Sequence, residues 1–356
     1  MKIGIDAREL RRNQMTGIGR FLRNLLYGLL KEDTRNEYFL FGYPDLDFAC
    51  DAKNLKRMLK KKTFTFLWDQ VYLPAAVKKY GIDVFFSPYY KIPFFADCRL
   101  ILTHHDFTMF SYPEYKKRTL YNLVLRAAMR IFNKRAKKII CESEFTKREM
   151  AGYFNLPADK TAVIPVPAGA GFAPCGAERV SRAREKYQLV KPYILYVGNA
   201  NPHKNIGGLV SAYGLLPQNM KAEYVLALVG AGGSFHAAEG VRSLRYIPDE
   251  DLAALYCGAE LFVFPSFREG FGLPPLEAMA CGCPVISSNS TCMPEILGDA
   301  CLYFDPRNIE EISSRIAEAL NNGELRAGLR RKGTERVKFY AAKNTAAELL
   351  DVFKTA

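Results

Sequence analysis

Between Phe262 and Glu295 the chain reads FVFPSFREGFGLPPLEAMACGCPVISSNSTCMPE, an order of residues that few folds accommodate. Leu261–Phe264 is a short aromatic and apolar run, the composition of a buried strand. Pro265 and Ser266 end it, and a loop follows with Arg268, Glu269, Gly270, Phe271 and Gly272. Pro274 and Pro275 pre-set φ for a first helical turn, where a missing N–H costs nothing. Leu276, Ala278, Met279 and Ala280 continue the helix until Gly282 supplies a C′ residue, and Pro284-Val285-Ile286 opens the next strand. This strand–loop–helix–strand unit carries two carboxylates at one end, Glu269 in the loop and Glu277 in the first helical turn. Gly270 and Gly272 leave backbone N–H groups bare enough to approach an anion. The paired oxygens of a carboxylate suit the adjacent hydroxyls of a sugar or a ribose. The residues alone also allow a plainer reading, in which Glu277 only complements the helix dipole.

Strand and helix signals alternate on both sides of a Pro- and Gly-rich stretch, Pro165–Pro174. The pattern predicts an α/β fold of two doubly wound, Rossmann-like domains facing a cleft, over residues 1–168 and 176–337. Charge divides at the same place: residues 1–175 hold 30 Lys and Arg against 17 Asp and Glu, and the remainder 20 against 20. The net charge of +13 therefore belongs to the first half, which points to an anionic partner for that domain only. Nucleic acid and anionic lipid headgroups both fit charge alone, but no zinc-finger spacing, aromatic RNA-binding signature or low-complexity tail supports nucleic acid. No apolar run is long enough to span a bilayer, and the first strand, Lys2–Asp6, has no signal-peptide character. Nine scattered cysteines indicate neither a zinc site nor a disulfide framework, and a cytoplasmic location is expected, with peripheral attachment to the inner membrane face as an option.

Other segments carry their own expectations. Lys53–Lys62 reads as a solvated basic helix or a lipid-headgroup patch. Residues 117–138 read as one long helix, with Leu120, Leu123, Val124, Ala127, Ala128 and Ile131 as its core stripe and a basic edge that could face a membrane. Thr16–Arg20 is a glycine turn opening a helix. Leu100–Phe107 is a strand with His105 and Asp106 at its polar tip, and His104 turned away. Ser143 is a natural N-cap. Gly198 follows the strand Tyr193–Val197, with Lys204 on the way into a helix, an arrangement suited to a diphosphate. Gly230–Gly233 closes another strand, and a final helix is expected over about residues 335–353.

Glu269-Gly-Phe-Gly-Leu-Pro-Pro-Leu-Glu277 resembles the E-x7-E signature of family 4 retaining glycosyltransferases, which have the GT-B fold. Ala278–Gly282, Pro284-Val285, Pro294-Glu295, His105-Asp106, Pro113-Glu114-Tyr115 and Ser143–Glu149 extend the likeness along nearly the whole chain. The resemblance implies transfer of a hexose, with GDP-mannose the favoured donor, to a glycan or polyprenyl-linked acceptor, retaining configuration and using no metal or other cofactor. It places acceptor binding in the first domain, with the segment from about 338 to 356 packing back on it, and donor binding in the second. In these terms His105 and Glu269 line the reacting centre. Gly17, Gly19, Asn199, Lys204, Gly270, Phe271, Gly272 and Glu277 hold the donor, while Asp106 and Ser143 border the acceptor. The chain departs from the family at Asn199, where arginine is common, at Arg245, where glycine is usual, and at Ala341 and Ala342, where a tryptophan often stands and its absence suggests looser packing. A nucleotide-sugar epimerase on the same fold and a nucleic-acid-binding protein are the rival readings.

Overall fold

The computed structural model describes residues 1–12, 16–117, 119–169, 171–232 and 239–356, without the side chains of Pro113 and Lys116. Arg118, Ala170 and Gly233, which fall within segments considered above, lie outside the described residues. The chain divides into two compact units, one of Met1–Pro167 with Tyr340–Ala356 and one of Ala168–Phe339.

The first unit holds strands β1 (Lys2–Asp6), β2 (Glu37–Gly42), β3 (Leu55–Leu59), β4 (Val84–Ser87), β5 (Arg99–His104), β6 (Lys138–Cys141) and β7 (Thr161–Val163). They form a seven-stranded sheet in the order β3-β2-β1-β4-β5-β6-β7, with every pairing parallel. The winding reverses between β1 and β4. Ile3, Ile5, Val84, Phe85 and Phe86 are fully buried, as expected for parallel strands covered by helices on both faces.

The second unit holds β8 (Tyr193–Val197), β9 (Val225–Val229), β10 (Val241–Leu244), β11 (Leu261–Phe264), β12 (Val285–Ser288) and β13 (Leu302–Phe304). Their order is β10-β9-β8-β11-β12-β13, again all parallel, with the switch between β8 and β11. The helix Leu273–Ala280 ends as its sequence predicts. Gly282 takes φ 74°, its N–H donates to Met279, and the Cys283 N–H donates to Ala278, which is a Schellman close.

Three expectations are corrected. Lys53–Lys62 is not a helix: Leu55–Leu59 is the edge strand β3, paired with β2 from Tyr38↔Leu55 to Gly42↔Leu59. Lysines on an edge strand discourage pairing with another chain, so a basic edge and a basic helix look alike in sequence. The helix within 117–138 spans Thr119–Arg135, and its buried side is Leu125, Met129 and Asn133, not the assigned stripe. Leu120, Leu123, Val124 and Ile131 are exposed. The final helix is two, Gly323–Val337 and Ala342–Thr355, separated by a 3-10 turn at Lys338–Tyr340.

Packing of the last helix is close, not loose. A Cβ built on Gly28, in helix Gly17–Glu32, would stand 2.6 Å from the Ala342 carbonyl oxygen. Gly28→Ala should therefore destabilise by about 1–3 kcal/mol, the usual cost of overpacking. Gly328→Ala, mid-helix with open space around it, should instead stabilise by roughly 0.5–1 kcal/mol. Denaturant unfolding of both variants checks the opposite signs.

Candidate functional site

In the second unit the predicted residues gather at the C-terminal ends of β8 and β11. Lys204 closes a 3-10 turn, Pro202–Lys204, and Asn205 follows in the left-handed region at φ 55°. The Asn205 amide donates to the carbonyls of Pro265 (3.2 Å) and Pro306 (2.8 Å), tying this turn to the end of β11. Lys204 is thereby aimed at the loop, where its Nζ donates to both Glu269 oxygens at 2.7 and 2.8 Å. Both side chains are mostly covered, 18% and 11% exposed. The loop is fixed in turn, since the Thr291 hydroxyl accepts from the Glu269 N–H at 3.2 Å.

Gly272 caps the helix Leu273–Ala280 at φ 83°, a left-handed conformation that strains any other residue, and an added Cβ would also displace the Met293 side chain, whose Cε stands 2.3 Å away. Glu277 lies past the first turn and is buried, its carboxylate accepting from the Tyr256 hydroxyl at 3.2 Å. That corrects its expected first-turn position; the tyrosine bond gives it a partner beyond the helix dipole. Phe271 is 3% exposed and packs inward. Asn199 is exposed, its Oδ1 accepting from the Asn201 N–H at 3.2 Å. Gly230, at φ 81°, lets its turn approach the Gly198 carbonyl, 2.9 Å from where a Cβ would sit.

In the first unit, the tips of β1, β4, β5 and β6 converge. His105 sits just past β5, with Nδ1 2.5 Å from a Glu142 oxygen and Nε2 2.8 Å from the Pro88 carbonyl. Both neighbours only accept, so both ring nitrogens donate and the ring is an imidazolium. Burial alone would push its pKa down, but the Glu142 charge and hydrogen bond outweigh this and hold it up at about 9. The ring has no free nitrogen for a sugar hydroxyl or a proton transfer, which corrects the expected direct contact. His104 goes the other way: it lies in the core on Asn133 (2.8 Å), and burial pushes it down to about 4. Asp106 is exposed and accepts from the Thr108 N–H at 2.7 Å. Ser143 is fully buried and caps helix Glu144–Phe154 through the Thr146 N–H (3.1 Å), so its side chain is not open to an acceptor.

Gly17 and Gly19 begin their helix behind Thr16, whose hydroxyl accepts from Gly19 and donates to Glu9 at 2.6 Å. Glu9 also accepts from the Tyr89 hydroxyl at 3.1 Å. Beside them Arg8, buried, pairs with Asp6 (2.5 Å) and Asp69 (2.6 Å). Sequence reading missed this network because its members come from separate segments. The one available signal was a charged cluster directly after an apolar first strand.

Among the described residues no His, Cys, Asp and Glu side chains cluster as a metal site, and all nine cysteines are free. No described helix is long and apolar enough to cross a membrane.

Two doubly wound parallel sheets with polar groups collected at their C-terminal edges are the α/β architecture of the GT-B fold. The model of Glycosyltransferase Family 4 matches residues 15–167, and that of Glycosyl transferases group 1 matches residues 179–336. The chain is 33% identical to the O-antigen chain mannosyltransferase B of Escherichia coli, over 99% of this chain and 100% of that protein. It is 32% identical, over 62% of its length, to 29% of the serotype-specific mannosyltransferase WbdA of Escherichia coli. Sucrose-phosphate synthase from Thermosynechococcus elongatus superposes with a TM-score of 0.79 at 19% identity, over 99% of this chain and 98% of that one. Anabaena HepE in complex with UDP and glucose gives 0.78 at 16% identity, over 100% and 99%. The chain belongs to the family 4 glycosyltransferases and is a glycosyltransferase similar to bacterial mannosyltransferases.

The His105 geometry fixes a pH dependence. A pKa raised from 6.5 to about 9 in the folded state adds stability that is complete below 6.5 and is lost as pH rises through 9. The contribution is at most roughly 3 kcal/mol at 1.36 kcal/mol per unit. The destabilisation caused by His105→Gln should be largest near pH 6 and shrink towards pH 9.5, as measured by denaturant unfolding at both values.

Proposed function

We propose that the protein transfers a mannosyl residue from GDP-mannose to a hydroxyl of a lipid-linked glycan during polysaccharide assembly, retaining the anomeric configuration and needing no metal. The bond from the sugar C1 to the diphosphate oxygen breaks, and a bond from C1 to the acceptor oxygen forms on the same face. The acceptor proton leaves to the diphosphate or to solvent. The observation carrying the reading is the Lys204 ammonium held at the mouth of a glycine-lined turn by Glu269. A part-buried cation at this position can take the charge of the leaving diphosphate, the electrostatic task otherwise given to a metal. Mannose is supported by the relatives, which carry the names of mannosyltransferases.

In this reading Glu269 binds the donor sugar once Lys204 has moved to phosphate, and Glu277 binds the ribose. Gly270, Gly272, Asn199, Gly17 and Gly19 offer backbone or amide contacts to the donor. His105 positions the tip of β5 and supplies positive charge without exchanging a proton, and Asp106 borders the acceptor. The acceptor is reached at an anionic membrane surface, which would account for the basic first half.

Incubating the purified protein with GDP-mannose and UDP-glucose in competition, with and without EDTA, tests donor and metal together. Preferential use of UDP-glucose, or loss of turnover in EDTA, overturns those parts. Lys204→Ala should lower nucleoside-diphosphate affinity about ten- to hundredfold, the worth of a charge-assisted contact. Glu277→Gln should also weaken free nucleotide. Glu269→Gln should cut turnover while leaving nucleotide affinity unchanged or higher, because it releases Lys204 from its present partner. Calorimetric titration of GDP against the three variants separates these roles, and equal losses would show the assignment to be wrong.

A further inference from the structure

The first unit leaves a broad apolar surface uncovered. Phe64 is 79% exposed, and Phe66, Leu67 and Val71 follow it outward along the helical stretch from Thr65 to Tyr80. On helix Thr119–Arg135, Leu120 is 76% exposed, and Leu123, Val124 and Ile131 share its outward side. The segment 92–96 joins the two. Gln70 donates to the Ile92 carbonyl and accepts from the Phe94 N–H, both at 3.0 Å, while Arg135 donates to the carbonyls of Phe94 and Ala96. Phe95, 71% exposed, stands on that bridge. Helix Thr119–Arg135 is thus apolar on its core side and again on its outer side, a pattern that calls for a second apolar environment.

Charge says which environment. Lys60, Lys61 and Lys62 are exposed shortly before Phe64, and Arg130 and Lys134 are exposed along the other helix, with exposed Lys117 ahead of its start. Neither 60–68 nor 119–135 contains an acidic residue. Asp69 is buried on Arg8, leaving Asp97 as the exposed carboxylate next to Phe95. A second copy docked on this face by twofold symmetry would set one ring of cations against another. Anionic headgroups would neutralise the ring while the apolar side chains entered the acyl boundary.

We infer that this face, Phe64–Val71 with Phe95 and Leu120–Ile131, inserts into an anionic phospholipid bilayer. The inference rests on the membrane-surface part of the proposed function and adds an apolar anchor to a charge attraction.

The test is flotation of the full chain with phosphatidylglycerol-containing and pure phosphatidylcholine vesicles, at low salt and at about 0.5 M, where exposed charges are screened. Binding to the anionic vesicles should fall with salt but persist in part. The combined variant Phe64→Ser, Phe66→Ser and Leu123→Ser should lose that persistent part, at least about tenfold in partition, as expected when buried apolar area is removed. Lys61→Glu with Lys62→Glu should lose the salt-sensitive part instead. Circular dichroism and donor hydrolysis, checked in parallel, should be unchanged in every variant. Absence of wild-type binding, equal binding by the serine variant, or a wild-type dimer that the serine variant dissolves would each overturn the inference. If vesicle binding holds but the wild type hydrolyses no donor, the transferase reading fails and the membrane surface stands.

Discussion

A parallel strand covered by helices on both faces has no exposed side on which to place a polar group. β4, β8 and β11 are accordingly buried from end to end. Chemistry is displaced to the strand tips, where the chain leaves the sheet and backbone groups need new partners. In the second unit the tips after β8, β9 and β11 supply Gly198, Gly230 and the Glu269 loop. In the first, the tips of β1, β4, β5 and β6 supply Asp6, Pro88, His105 and Glu142. Both collections of polar residues follow from the same restriction on the sheet.

The charges at these tips are held in pairs because removing either partner would strand the other away from water. Burial alone would favour loss of the Arg8 proton, yet Asp6 and Asp69 keep its pKa well above the ordinary value. His105 is treated the same way by Glu142, and adjacent His104, buried against an amide and aromatic rings with no carboxylate to hold its proton, is left neutral. Two neighbouring histidines therefore differ in charge because one meets a carboxylate and the other does not. That difference is invisible in the dipeptide.

The apolar strand runs and the glycine-flanked glutamates were readable because each is local: a run of buried residues names a parallel strand, and Gly282 announces the close of a helix, where it takes φ 74°. What misled was surface. Helix Thr119–Arg135 has apolar residues on two sides, and periodicity shows that stripes exist without saying which one meets the core. Asn133, fully buried, lies on the true core side, where a polar residue argued against it. β3 was taken for a helix because an exposed edge strand rich in lysine loses the alternation that marks half-buried strands. Ser143 kept two readings until its burial left only the cap. The strands β7, β10 and β13 were passed over because they lie at or next to sheet edges, short and only partly buried.

In the proposed reading, the pairing of Lys204 with Glu269 has a consequence for which ligands bind. Two mostly covered charges in contact mean that an anion gains less from the lysine when the glutamate is left without a partner than when both are satisfied. A bare diphosphate satisfies Lys204 and strands Glu269, whereas a sugar diphosphate can satisfy both, the phosphate at the lysine and the sugar hydroxyls at the carboxylate. On that reading the ion pair would work as a filter, since only a ligand carrying both groups recovers both interactions. Binding is then an exchange of partners, and its free energy is a difference between them. The same pair keeps Lys204 aimed at the loop when no donor is present, so the cation need not be ordered when the donor arrives.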